Sequence, residues 1–156
     1  DHRDLHSFPT RRSSDLLTIS GFNGSLVANT SNGPIDADGV RGLLDVTTSN
    51  GPVDIDASDL DRSRPVKIRT SNGPVKLSLD KVTTDVFVRS SNGPIELRVP
   101  ESGMNLRAST SSGKVRSDYP VSGETEAKSE LSGKIGAGGP TVELKTSNSS
   151  IRIARF

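Results

Sequence analysis

The side chains of this 156-residue chain that could do chemistry fall into three recurring sets. Carboxylates stand two residues apart at Asp36/Asp38 and Asp54/Asp56, a spacing that puts both members of a pair on one face of a strand, where they could share a cation. Cations and one aromatic ring recur at matched positions: Lys67, Phe87 and Arg107 each lie six residues before a glycine, and Arg69 and Arg89 lie four before. A ring that can stack on a sugar, with cations beside it to hold acid groups, is what an acidic glycan needs. Amides recur at Asn32, Asn50, Asn72 and Asn92, each followed by glycine (Gly33, Gly51, Gly73, Gly93), and could form a ligand face or a stack in which each amide satisfies the next. The stack is the stronger reading.

Other chemistries are excluded by residue type. Cysteine is absent and both histidines, His2 and His6, lie at the start, so the rest of the chain cannot build a Ser-His-Asp or Cys-His nucleophile or a histidine-rich zinc site. No glycine-rich turn leads into a helix to cradle phosphate. The nonapeptide calcium repeat of other β-helices is missing, although Gly136 to Gly139 resembles it superficially. A threonine-rich ice-binding face fits poorly, because repeats of unequal length would not present a flat lattice. No second acidic cluster or long lid loop accompanies the aspartate pairs, so a solvated face is the reading they favour. No catalytic residue, cofactor, metal or nucleic-acid partner is expected.

These residues are positioned by an internal repeat. Thr-Ser-Asn-Gly-Pro occurs at residues 30–34, 48–52 and 70–74, Ser-Ser-Asn-Gly-Pro at 90–94, and weaker copies at 110–114, 130–134 and 146–150. Seven units of about twenty residues make an array. Apolar residues alternate on both sides of each copy, as in Val66/Ile68 and Val75/Leu77/Leu79, which is the period of a half-buried strand. Asn-Gly usually marks a hairpin, but the following proline has no N–H to return across such a turn. A corner between two sheets fits better, with glycine adopting positive φ and the chain returning through loops such as Asp59 to Arg64. The expected fold is all-β, a parallel β-solenoid of about seven coils stacked in sequence order. A narrow lumen of aliphatic residues also accounts for a chain with only 3% aromatics and 30% hydrophobic residues. The sixth unit fits badly, since Glu126, Lys128 and Glu130 fall at apolar positions, and a bulge or register slip is expected there.

The first sixteen residues, DHRDLHSFPTRRSSDL, align with no repeat and resemble one translated frame of a common short-read sequencing-library adapter. The resemblance implies a non-native segment and an N-terminally truncated domain over residues 17–156, from what would be a metagenomic sequence, with any leader or anchor outside the given chain. A first coil without its cap would expose a sheet edge at Leu17 to Ser20 and promote self-association.

From residue 17 onward the Thr-Ser-Asn-Gly-Pro-Ile/Val-Asp corner, with strands on either side, resembles the bacterial adhesin-like family of β-strand-repeat domains of unknown function. The resemblance implies a right-handed β-solenoid in an exported or membrane-tethered protein of the cell envelope, with adhesion as its role and no catalytic residues. The resulting expectation is a non-enzymatic structural or adhesive module that binds surface glycans or envelope proteins. The alternative is a carbohydrate-active parallel β-helix enzyme of the lyase or hydrolase type. No stretch approaches the ~18 consecutive apolar residues of a membrane span. Stacked in sequence order, residues three places after each glycine would form a charge ladder Asp36, Asp54, Lys76, Glu96, Arg116, and Phe87 would lie between Lys67 and Arg107.

Overall fold

The computed structural model describes residues 17–21, 26–42, 44–60, 65–81, 84–100, 103–119, 122–127 and 129–155. The Arg-rich segment 1–16 and residues 61–64 of the expected return loop lie outside the described residues. The chain opens with β1 (Leu17–Ser20). Six repeat units then place a strand on each side of their corner. Four come first: β2 (Leu26–Thr30) with β3 (Ile35–Gly42), β4 (Leu44–Thr48) with β5 (Val53–Leu60), β6 (Val66–Thr70) with β7 (Val75–Leu79), and β8 (Val86–Ser90) with β9 (Ile95–Val99). The fifth is β10 (Met104–Thr110) with β11 (Val115–Ser117). Next come β12 (Ser122–Ala127) and β13 (Glu130–Ile135), and the sixth corner joins β14 (Thr141–Thr146) to β15 (Ile151–Arg155). Among the described residues there is no helix.

Two sheets face each other. Sheet A runs β1-β3-β5-β7-β9-β15-β11 and sheet B runs β12-β13-β10-β14-β8-β6-β4-β2. Every neighbouring pair is parallel except β13 with β10 and with β12. Inward positions stack in register, as in Val46–Ile68–Val88–Leu144–Ala108 on sheet B and Ile55–Leu77–Leu97–Ile153 on sheet A. All of these side chains are buried. Each is worth about 1.5–3 kcal/mol for the larger aliphatics, so a long thin lumen can hold the fold without a broad core. Tyr119 is buried at the β11 end, where its hydroxyl donates to the Val99 carbonyl at 2.7 Å.

The corner motif reads directly as hydrogen bonding. Its first residue points inward, and its buried hydroxyl accepts from the glycine N–H three places on, at 3.3 Å for Thr30–Gly33, Thr48–Gly51 and Thr70–Gly73 and 2.9 Å for Ser90–Gly93. The asparagines stack, each Nδ2 donating to the Oδ1 of the neighbouring unit at 2.7 Å from Asn50 to Asn32, Asn72 to Asn50 and Asn92 to Asn72. The proline carbonyls are acceptors between units, for example Pro74 O from Val53 N–H at 2.9 Å.

The expected positive φ at the corner glycines is not found. Positive φ occurs only at Gly21, Gly39, Gly136 and Gly138 among the described residues. Glycine is required at the corner because the units approach too closely for a side chain: a Cβ on Gly51, Gly73 or Gly93 would run into the carbonyl of the preceding unit's glycine.

Stacking also departs from sequence order. The last unit, β14–β15, lies between β8–β9 and β10–β11, pairing with the fourth unit on one side and the fifth on the other. The expected sixth coil is instead an antiparallel hairpin, with a register irregularity between Ser122 and Thr125. Its would-be corner glycine, Gly133, sits within β13 opposite Leu106. Ala137, which continues the apolar alternation from Ile135 in the sequence, is exposed in the turn after β13. On β13 Glu130 and Lys134 are exposed while Leu131 and Ile135 join the buried core, so the hairpin covers the β10 side of the lumen without forming a coil of its own.

Candidate anion-binding face

The parallel ladders of sheet B turn sequence spacing into surface rows. Four places before the corner glycine the row reads Asn29, Thr47, Arg69, Arg89, Lys145, Ser109. Arg69 and Arg89 are direct neighbours, as are Arg89 and Lys145, and all three are exposed. Neighbouring strands lie about 4.8 Å apart, so these three cations stand in line along the solenoid axis. Two places before the glycine stand Ser71, Ser91, Ser147 and Ser111 at successive corners, all exposed. Between the two rows runs a groove of about 630 Å³.

Six places before the glycine the row is Val27, Asp45, Lys67, Phe87, Glu143, Arg107. Intercalation of β14 therefore corrects the expected patch. Lys67, Arg69, Phe87 and Arg89 are brought together, but Arg107 is separated from Phe87 by Glu143. Phe87 is half-buried between a cation and a carboxylate, and the ring-over-cation contact among the described residues is made instead by Arg155, 5.1 Å from the Tyr119 ring centroid. Glu143 bonds along its own strand to Lys145 at 2.8 Å. Neither Arg69 nor Arg89 has an ion pair among the described residues. Lys145, Glu143 and Ser147 were not among the residues expected to contribute, because their unit was expected at the far end of the stack.

Sheet A carries the mixed ladder. Arg152 enters between Glu96 and Arg116, so the row is Asp36, Asp54, Lys76, Glu96, Arg152, Arg116. Ion pairing again runs along a strand, from Arg98 to Glu96 at 3.0 Å. The aspartate pairs gather at the β3–β5 end, and partial burial raises the Asp56 pKa above its ordinary value, aided by repulsion from Asp80, Asp38 and Asp54. No set of three or more acidic or histidine side chains that could hold a metal ion occurs among the described residues.

A carboxyl group whose pKa is raised by folding is stabilising while protonated and loses that contribution as pH rises through its folded value. Ionised Asp56 therefore opposes folding at neutral pH. Asp56→Asn is expected to raise the melting temperature modestly at neutral pH, with the difference shrinking at acid pH as the wild-type carboxyl takes up its proton. Melting curves at the two pH values check this. An equal difference at both would mean that charge is not the cause.

The amide stack extends past the fourth unit to the last one, with Asn148 Nδ2 donating to Asn92 Oδ1 at 2.6 Å, and the fifth unit has Ser112 in place of an asparagine. The stacked amides are thus occupied with one another. A family model described as Toastrack DUF4097 matches residues 13–154, beginning within the Arg-rich N-terminal segment. No curated protein and no solved structure matches the chain.

Proposed function

Since this chain belongs to the Toastrack DUF4097 family, a β-repeat domain of unknown function, we propose that it is a non-enzymatic structural and adhesive module of a bacterial cell-envelope protein, and that the outer face of sheet B meets acidic surface glycans. The observation that carries this reading is the run Arg69–Arg89–Lys145 beside Lys67 and the half-exposed Phe87. Like charges directly opposite one another weaken a sheet. The neighbouring row of sheet B intersperses signs, with Asp45 against Lys67 and Glu143 against Arg107. Three cations in line are a local cost that an anionic partner would offset. A two-sheet stack tied by backbone ladders fixes the spacing of the strands beneath such a row, so ordering on binding is confined to the side chains.

The test is retention of the chain on immobilised acidic polysaccharide against a neutral one of similar length. Retention on the acidic matrix alone is expected, falling at least about tenfold as salt shortens the range of charge interactions. The double variant Phe87→Ala, Arg89→Ala is expected to elute much earlier. Equal retention on both matrices, or none on either at low salt, would overturn the reading.

A further inference from the structure

The arrangement of sheet B reaches further than a charged patch. From it we infer that the groove between the cation row and the serine row is a binding site for a linear acidic polysaccharide lying parallel to the solenoid axis, one acid group at each of Arg69, Arg89 and Lys145. This rests on the proposed adhesive reading and specifies its ligand, its direction and the residues that hold it.

Direction follows from register. Arg69, Arg89 and Lys145 are consecutive partners on β6, β8 and β14, so positive charge repeats at about 4.8 Å across the strands, along the axis and not along any one strand. A polymer with one acid group per sugar advances by a similar step, whereas a compact anion could engage only one or two of the three. Among the described residues no other row puts three like charges on three consecutive strands.

The second wall gives the chemical class. Ser91, Ser147 and Ser111 follow one another at the corners beside the cations, and Ser109 continues the cation row on β10. A line of hydroxyls, each able to donate and accept, parallel to a line of cations suits a ligand that alternates acid groups with hydroxyls. Guanidinium groups add fork geometry that fits carboxylate or sulfate edges. Phe87, one row further out, offers a flank on which a sugar face can rest.

The site also contains its own competitor. Glu143 holds Lys145 at 2.8 Å, so an incoming acid group must displace a carboxylate that is already there. This gives the inference a direction that a general attraction between a basic face and a polyanion does not share to the same degree. Removing the Glu143 charge frees Lys145 in the groove, and the gain should depend on Lys145 being present.

The experiment measures binding of the full chain to fluorescently labelled polygalacturonate by polarisation, with unlabelled single-stranded DNA and inorganic phosphate as competitors. Glu143→Gln is expected to tighten binding about threefold to fivefold, and Lys145→Gln to weaken it about as much, as befits one exposed ionic contact. Combined with Lys145→Gln, Glu143→Gln should lose most of its effect. Asp54→Asn on the opposite sheet, which also removes one negative charge, serves as the net-charge control and should change binding little. If wild type binds but Glu143→Gln and Asp54→Asn act alike, or Lys145→Gln has no effect, the groove assignment is wrong while the adhesive reading stands. If wild type binds no acidic polysaccharide, the adhesive reading itself fails. Stronger competition by single-stranded DNA than by unlabelled polygalacturonate would overturn the ligand class, and strong competition by phosphate would overturn the extended site.

Discussion

Gly73→Val is expected to cost about 3 kcal/mol or more of unfolding free energy, among the largest effects available to a single surface-corner substitution. A Cβ on Gly73 would stand 2.5 Å from the Gly51 carbonyl carbon, closer still to its oxygen, and 3.0 Å from Pro52 N. These are backbone atoms, and they cannot yield as a flexible side chain would. Moving the corner away would lengthen the Asn72–Asn50 amide bond and the Asn72 N–H bond to Ser49 O, each part of the ladder joining the two units. Gly39 provides the contrast. Its φ is +65° and the nearest atom to a Cβ there is 3.6 Å away, so Gly39→Ala meets backbone strain of about 1 kcal/mol and no collision. Denaturant titration of both variants separates the two causes. A Gly73→Val midpoint equal to wild type would refute the close-packed corner.

Leu144→Asp is expected to be equally severe, at about 4 kcal/mol or more, because it places an unpaired carboxylate in the lumen. Leu144 is fully buried in β14, between Val88 of β8 and Ala108 of β10. Where the damage spreads is the informative part. In a repeat stack each unit is stabilised by its neighbours, so loss of β14–β15 should loosen the units on both sides. Amide hydrogen exchange is expected to quicken in β8–β9 and in β10–β11 together, leaving β2–β5 protected. Quickening confined to β14–β15 and one neighbour would mean that the last unit ends the stack and does not interrupt it.

Much of this is legible in the sequence alone. The alternation around Val66/Ile68 and Val75/Leu77/Leu79 fixes inward and outward faces because strand periodicity is strictly two, and the prolines after each Asn-Gly forbid the hairpin that the dipeptide alone would imply. Lys67, Arg69, Phe87 and Arg89 came together as their spacing required. Two features depart from what the sequence implies. The corner glycine's role is steric and not conformational, a distinction invisible until the distance between units is known. Stacking does not follow sequence order, and one residue type carries the reason: Asn148 continues the amide ladder and Ser112 does not. A ladder of amides is best continued by another amide, so the last unit matches the open edge of the fourth better than the fifth does. Glu126, Lys128 and Glu130 at apolar positions mark the sixth unit's departure from the coil, but reversal of strand direction depends on where β10 lies and cannot be read locally.

The interleaved order has a consequence for synthesis. The first four units can each add to their predecessor as they leave the ribosome, with amide partners only 18 to 22 residues apart. The next rung joins Asn148 to Asn92 across 56 residues, and the units that flank it are both made earlier. Nascent β10–β11 therefore emerges beside an edge that belongs to a strand not yet translated, and its own apolar alternation could dock there in the wrong slot. Stacking past β9 therefore waits until β14 and β15 have been made, so the first four units can form in order of synthesis while β10–β11 and β14–β15 take their places together.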